Sequence, residues 1–417
     1  MGISDEAGGP HHHRRLMSGR DPHEAHRAAT PLELLFDLTF VIAFGVAANG
    51  LAHALGAHHT AAGLIGFTLS GFALCLAWTN FTWFASAYDT DDWAFRLATM
   101  VQMCGVLIVA IGIPRLFASI EHGAHLDMAT MVGGYVVMRL ALVFQWLRVA
   151  REDPGRRAGA LTYAGLTALL QLGWIAMIPA DLPLGPAVAV FCVLGVAEMI
   201  APEIAERRCG GTPWHAHHIV ERHGLFAIIA LGEGVVGTVA ALSAVIDVQG
   251  WTLDAALICI AGMGLTFSLW WIYYMLPSAE VLHRHRERGF VWAWTQLAVI
   301  VAIVGIGAGL HVAATYIEGK AQIGPLATLL TVAAPVGIFL GMVYGLYAYM
   351  LRRFDPFHVW LLSGTALVLA AAIWAGAAGL PMTWCLIILT FAPLVTVIGY
   401  ECRGYRHQRD ALAQDRT

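Results

Sequence analysis

The chain has 417 residues, 58% of them apolar and only 12% charged, with a net charge of -4 and a mean hydropathy of +0.67. Soluble domains run at roughly 45–50% apolar and about 25% charged. This composition excludes a disordered chain, a nucleic-acid binder and an ordinary soluble enzyme, and it points to an all-α integral membrane protein.

The first thirty residues are polar and include His11, His12, His13, Arg14, Arg15, Arg20 and Arg27. They hold no apolar core of signal-peptide length, so 1–30 reads as a polar tail without a cleavable signal. Apolar segments then recur. A transmembrane helix needs about 20 such residues. The spacing predicts twelve: 31–55, 61–87, 94–116, 127–148, 158–179, 185–202, 216–244, 252–277, 289–315, 324–351, 357–378 and 381–401. The breaks carry loop chemistry in Arg151-Glu152-Asp153-Pro154-Gly155, Gly210-Gly211-Thr212-Pro213 and Asp355-Pro356. Cys75, Cys104, Cys192, Cys209, Cys259, Cys385 and Cys402 form no C-x-x-C pair and read as small buried hydrophobes.

Positive charge tests this count independently. Twelve spans put both termini and the loops after even-numbered spans on one side. Of the 24 Lys and Arg, 19 fall on that side; only Arg115 and Lys320 fall on the other, and Arg96, Arg139 and Arg222 lie within helices. Cytoplasmic loops hold the excess Lys and Arg, so both termini are expected in the cytoplasm.

The halves look alike. Leu35-Phe36 corresponds to Leu225-Phe226, Ala77-Trp78 to Leu269-Trp270, and Gln102 to Gln296. A six-helix unit returns the chain to its starting side, so the expected repeats are parallel. The expected organisation is a tail over 1–30, a six-helix half over 31–202, a cytoplasmic linker over 203–215, a second half over 216–401 and a cytoplasmic tail over 402–417.

Ionisable residues inside a membrane are functional candidates by default. Glu33 and Asp37 are four apart in the first span, hence on one helical face. Carboxylates this close repel, so the pair can hold a proton. The plainer reading of Glu33 is helix initiation beside Pro31. In the seventh span Arg222 and Glu233 are eleven apart, about three turns, and share a face. Gly232 and Gly234 flank Glu233 and permit close helix approach or local unwinding. Arg96, Arg139 or a proton could balance Glu233, and a structural ion pair joining the halves is the alternative. Glu198 in the sixth span is a further acid.

His217 and Glu221 are four apart and His218 and Glu221 three apart, a spacing that can seat a metal. At the cytoplasmic interface the same groups are simply solvated, or respond to pH. No metal and no cofactor is expected. Trp78, Phe81, Trp83, Phe84 and Tyr88 form one aromatic cluster, and Trp270, Trp271, Tyr273 and Tyr274 another. Interfacial belts explain both; a cation or ring-stacking pocket is the sharper reading. Walker A, H-E-x-x-H and G-x-S-x-G patterns do not occur.

Two motifs carry a resemblance. Glu33-Leu-Leu-Phe-Asp-Leu-Thr-Phe-Val resembles the opening signature of the bacterial low temperature requirement A family. Glu221-Arg-His-Gly-Leu-Phe-Ala-Ile-Ile-Ala-Leu-Gly-Glu233 resembles its second signature. The likeness extends over about residues 30–400 and implies a bacterial inner-membrane protein, with Glu33, Phe36, Asp37, Glu221, Arg222, Gly224, Gly232 and Glu233 at signature positions. Leu35 and His223 stand where the family often has aromatics.

Three functions remain open. A secondary carrier would use Glu33, Asp37 and Glu233 for protons or a cation, with Arg222 as counter-charge or anion site. An intramembrane enzyme would turn the paired acids on a lipid or isoprenoid. A sensor or scaffold would use the polar groups as structural pairs. The expected partners are the bilayer and a small molecule or ion of unknown identity, with no nucleic acid; the oligomeric state stays open.

Overall fold

The computed structural model describes residues 14–22, 24, 27–123, 125–208, 210–352 and 355–414. His11–His13, Cys209, Arg353 and Arg416 lie outside them. The helices in chain order are α1 (Pro31–Gly56), α2 (Thr60–Tyr88), α3 (Trp93–His122), α4 (Ala129–Glu152), α5 (Arg157–Ala180), α6 (Leu184–Arg208) and α7 (Ala216–Gln249). They continue with α8 (Leu253–Tyr274), α9 (Ser278–Arg284), α10 (Gly289–Ile317), α11 (Pro325–Leu351), α12 (Pro356–Ala377), α13 (Met382–Gly399) and α14 (Tyr405–Gln414). Among the described residues, twelve of these are long and apolar enough to cross a membrane; α9 and α14 are the short exceptions. Helices dominate because a bilayer offers backbone N–H and C=O groups no partner except each other.

Each span matches its predicted segment within a few residues. The largest excesses are at the third, predicted over 94–116 and found as Trp93–His122, and at the sixth, predicted over 185–202 and found as Leu184–Arg208. The last two turns of the sixth are charged, so hydropathy alone cut them off.

The arginine-rich loops and the tail knit into one face. Arg15 N donates to Asp92 Oδ2 at 3.0 Å, Gly19 N to Asp153 Oδ2 at 3.1 Å and Arg20 N to the Ala87 carbonyl at 3.0 Å. Gln408 Nε2 donates to the Met275 carbonyl at 3.2 Å, tying α14 to the end of α8. On the opposite face Gln322 N bonds the Gly56 carbonyl at 2.7 Å. Trp251, Trp360 and Trp374 are 82%, 76% and 74% exposed near helix ends, the positions an interfacial aromatic takes.

Within residues 31–208, α1 packs on α2 and α3, α3 on α4, α4 on α5, α5 on α6, and α2 reaches α6. Within residues 216–399, α7 packs on α8 and α10, α10 on α11, α11 on α12, α12 on α13, and α8 reaches α13. The halves meet where α1 and α2 lie against α7 and α10.

Three expectations need correction. Trp78, Phe81, Phe84 and Tyr88 are core residues, not a belt, because α2 lies between the halves and is covered on nearly every side. Of the aromatics in α8, Trp270, Trp271 and Tyr274 do stay exposed. Among the described residues, only Cys75 and Cys385 are buried cysteines; Cys104, Cys192, Cys259 and Cys402 are exposed, since apolar helix faces turned to lipid need no protein cover. Finally, α7 runs unbroken past Gly232 and Gly234, so no unwinding occurs there.

Candidate functional site

The site begins with two helix starts on the arginine-rich face. Thr30 caps α1, its Oγ1 accepting from Glu33 N at 3.3 Å, while Glu33 Oε2 accepts from Thr30 N at 2.8 Å. This reciprocal pair satisfies two otherwise orphaned N–H groups. His215 caps α7, its Nδ1 accepting from His218 N at 3.2 Å. Burial pushes the His215 ring below its ordinary pKa against the raising effect of the Glu24 carbonyl, which keeps the ring neutral and its Nδ1 free to accept. The caps set the register of two parallel helices. Glu33 and Asp37, one turn apart on α1, face His218 and Arg222, one turn apart on α7.

Arg222 bridges the acids. Its Nη1 lies 2.6 Å from Glu33 Oε1 and its Nη2 2.5 Å from Asp37 Oδ1. His218 Nε2 faces Glu33 Oε2 at 3.2 Å. All four side chains are fully buried. Glu33 lies in the first turn of α1, where the positive end of the helix dipole favours negative charge. Glu33 is thus both helix initiator and ion-pair partner, so the two readings of it are compatible.

An aromatic shell closes the cluster. Trp78 Nε1 donates to Asp37 Oδ1 at 2.7 Å. Its ring stacks on Phe226 with centroids 4.2 Å apart and lies 5.6 Å from the Arg222 guanidinium carbon. The His223 ring packs edge-on to Trp78 at 4.7 Å and Trp292 at 4.6 Å, and its Nδ1 donates to the Ile219 carbonyl at 2.8 Å. Asp37 Oδ2, His218 Nδ1, Arg222 Nε and His223 Nε2 are buried without a hydrogen-bond partner. This unspent capacity is concentrated where charge is hardest to solvate.

The remaining candidates separate. Glu233 is half-buried about three turns further along α7. Its Oε1 would lie 2.9 Å from a Cβ placed on Gly45 of α1, and a Cβ on Gly307 of α10 would lie 2.6 Å from the Glu233 backbone carbon. Glu233 therefore sits in a notch between glycines, with neither Arg96 nor Arg139 as partner. Arg96 is exposed and pairs with Asp91 at 2.8 Å. Arg139 pairs with Glu198 at 2.5 Å inside the first half. His217 and Glu221 are exposed while His218 is buried, so the three do not converge. Among the described residues, no group of three or more His, Cys, Asp or Glu is placed to hold a metal.

Glu198 anchors a second buried cluster. Its Oε1 accepts from Trp174 Nε1 at 2.8 Å and Gln171 Nε2 at 3.1 Å, and its Oε2 from Tyr135 OH and Arg139 Nη2, each at 2.5 Å. One carboxylate meets one guanidinium here, so the charge balances. Sequence reasoning named Arg139 and Glu198 separately. It missed Tyr135 and Trp174, and it missed the roles of Trp78, Trp292 and His218 beside the acids; aromatic residues in an apolar helix carry no mark of facing a charge.

Comparison with known proteins follows this geometry. Residues 28–393 match the family model described as bacterial low temperature requirement A protein, LtrA. An uncharacterized protein of Rhizobium meliloti is 27% identical over 254 residues, 58% of this chain and 57% of that protein. The match thus spans little more than half the length of that relative. No solved structure matches the chain.

Proposed function

The chain belongs to the bacterial low temperature requirement A family, and we propose that it is a proton-coupled secondary carrier of the bacterial inner membrane. The observation that carries this reading is the stoichiometry at Arg222. Two buried carboxylates, Glu33 and Asp37, face one guanidinium. If all three are ionised, one negative charge is left among fully buried side chains, at a cost of several kcal/mol. A proton shared among His218, Glu33 and Asp37 removes it. The site then loads and releases a proton while linking α1 of one half to α7 of the other. Glu233, in its notch further along α7, is the second station of that proton.

The matched neighbour pattern of the halves supports two parallel six-helix repeats. The 19-to-2 distribution of Lys and Arg supports cytoplasmic termini. Reconstituted into liposomes under an imposed pH gradient, the wild type is expected to take up protons with its substrate. Asp37→Asn and Glu233→Gln are expected to lose that flux while remaining folded. Normal flux in both variants would sink the reading.

One observation favours a scaffold instead: the acids, Arg222 and His218 are wholly buried. A scaffold would show no flux in wild type, and neutralising Asp37 would then cost stability alone.

A further inference from the structure

A cleft of about 840 Å³ opens on the arginine-rich face between the two halves. Its walls come from the end of α2, the α6–α7 connection and the start of α10. Trp83 forms the back wall, its ring 4.9 Å from Trp214 and stacked at 4.8 Å on Phe290.

Most charge in the lining is already spent. Arg207 pairs with Glu203 at 2.5 Å, and Arg156 with Asp153 at 3.1 Å. Glu287 lies at the rim beside His285 and Arg288. Two charges differ. Arg286 lies over the Trp214 ring at 4.0 Å and donates one long bond, 3.4 Å, to the Thr212 carbonyl. Most of its five N–H donors are uncommitted. Glu206 accepts from Trp83 Nε1 at 3.3 Å, Tyr163 OH at 2.7 Å and Thr212 N at 2.8 Å, all neutral donors. Thr212 therefore holds the guanidinium on one side and the carboxylate on the other, and no ion pair joins them.

A cation and an anion held apart at one cleft, against indole walls, match a ligand that carries both signs. We propose that this cleft binds a zwitterion, with its phosphate or carboxylate on Arg286 and its ammonium toward Glu206 and the aromatic wall. A guanidinium fork suits the anionic end, and aromatic rings attract the ammonium. Two sources share this chemistry: the headgroup of an ethanolamine phospholipid, and a small soluble zwitterion. Binding is read at equilibrium, so the inference stands apart from the proton reading above.

The test uses the full chain in maltoside detergent. Glycerophosphoethanolamine is titrated calorimetrically against glycerophosphoglycerol, which has the same anionic linkage and no ammonium. The zwitterion is expected to bind saturably, at least roughly tenfold tighter than its anionic counterpart, and at least roughly tenfold weaker in Arg286→Gln. Arg286 makes a single long hydrogen bond, so its replacement leaves the fold standing. Glu206→Gln is expected to remove the preference for the zwitterion. Native mass spectrometry from nanodiscs of mixed phosphatidylethanolamine and phosphatidylglycerol separates the sources. A retained phosphatidylethanolamine that Arg286→Gln releases, without binding of the soluble compound, assigns the site to lipid. Equal affinity for the two compounds, unchanged affinity in Arg286→Gln, or no retention of either compound or lipid overturns the proposal.

Discussion

Trp78 on α2 donates its indole N–H to Asp37 on α1 at 2.7 Å, onto the same oxygen that Arg222 of α7 grips. Three helices from both halves thus converge on a single carboxyl oxygen, while the other oxygen, Oδ2, has no partner.

Trp78→Phe keeps a ring against Phe226 and removes the donor. The variant is expected to lose about 1–3 kcal/mol, the usual cost of a hydrogen bond to a buried charge. Thermal unfolding in detergent checks this. An unchanged midpoint would mean that the indole contributes packing alone.

Arg222→Met leaves two buried carboxylates facing each other. Breaking a buried ion cluster at one partner costs about 3–5 kcal/mol, and most of the protein is expected to be lost during expression. Adding Glu33→Gln and Asp37→Asn to Arg222→Met removes the charge altogether and is expected to restore a monodisperse protein. If the triple variant is no better than the single one, the defect lies in packing around the guanidinium rather than in unpaired charge.

Two acids between α2 and α3 set opposite pH dependences. Burial, with the Glu33 carboxylate adding to it, pushes Asp89 up to about 6. A raised carboxyl stabilises the fold only while protonated. That contribution is complete below an unfolded value of about 3.9 and is lost as pH rises through about 6. Asp89→Asn is therefore expected to match wild type at pH 4 and to exceed it by about 3 kcal/mol at pH 8. Burial also acts on Asp92, but Arg148 and the N–H groups of Phe95 and Arg15 outweigh it and hold the carboxyl at about 2. Its contribution is present above an unfolded value of about 3.9 and is lost as pH falls through about 2. Asp92→Asn is expected to be less stable than wild type at pH 7, and the gap should close on acidification.

Gly45 and Gly307 flank Glu233 but tolerate change differently. A Cβ on Gly45 meets only the end of a flexible side chain, whereas one on Gly307 meets the backbone of α7. Gly45→Ala is expected to fold with Glu233 displaced. Gly307→Ala is expected to force α7 and α10 apart and lower the melting temperature sharply. Comparable melting temperatures for the two variants would contradict the tight crossing.

The spans were legible because a bilayer demands length and apolarity, and both are written locally. The spacing of Glu33 and Asp37 was legible for the same reason: a helix fixes the face of residues four apart. That Arg222 meets these acids in space was not, since it lies 185 residues beyond Asp37 and nothing local places it there rather than Arg139. Nor was the burial of Trp78 and Phe81. In a membrane the same apolar residues serve against lipid and against protein, so hydropathy does not reveal which face turns inward. For Glu233 the two arginines considered as partners, Arg96 and Arg139, pair elsewhere, and Gly45 and Gly307 lie against it instead.

The linkage between Asp37 and Arg222 also has a history in time. Ribosomes add about 5–20 residues per second, so α1 waits roughly 10–40 s for its counter-ion to be made. Throughout that interval the nascent first half carries two acids without the guanidinium that bridges them in the finished chain. An incomplete chain is thereby chemically distinguishable from a finished one, and membrane quality control has a signal to read. Residues 1–208 expressed alone should be degraded quickly, and the same fragment carrying Glu33→Gln and Asp37→Asn should persist; equal lifetimes would remove the idea.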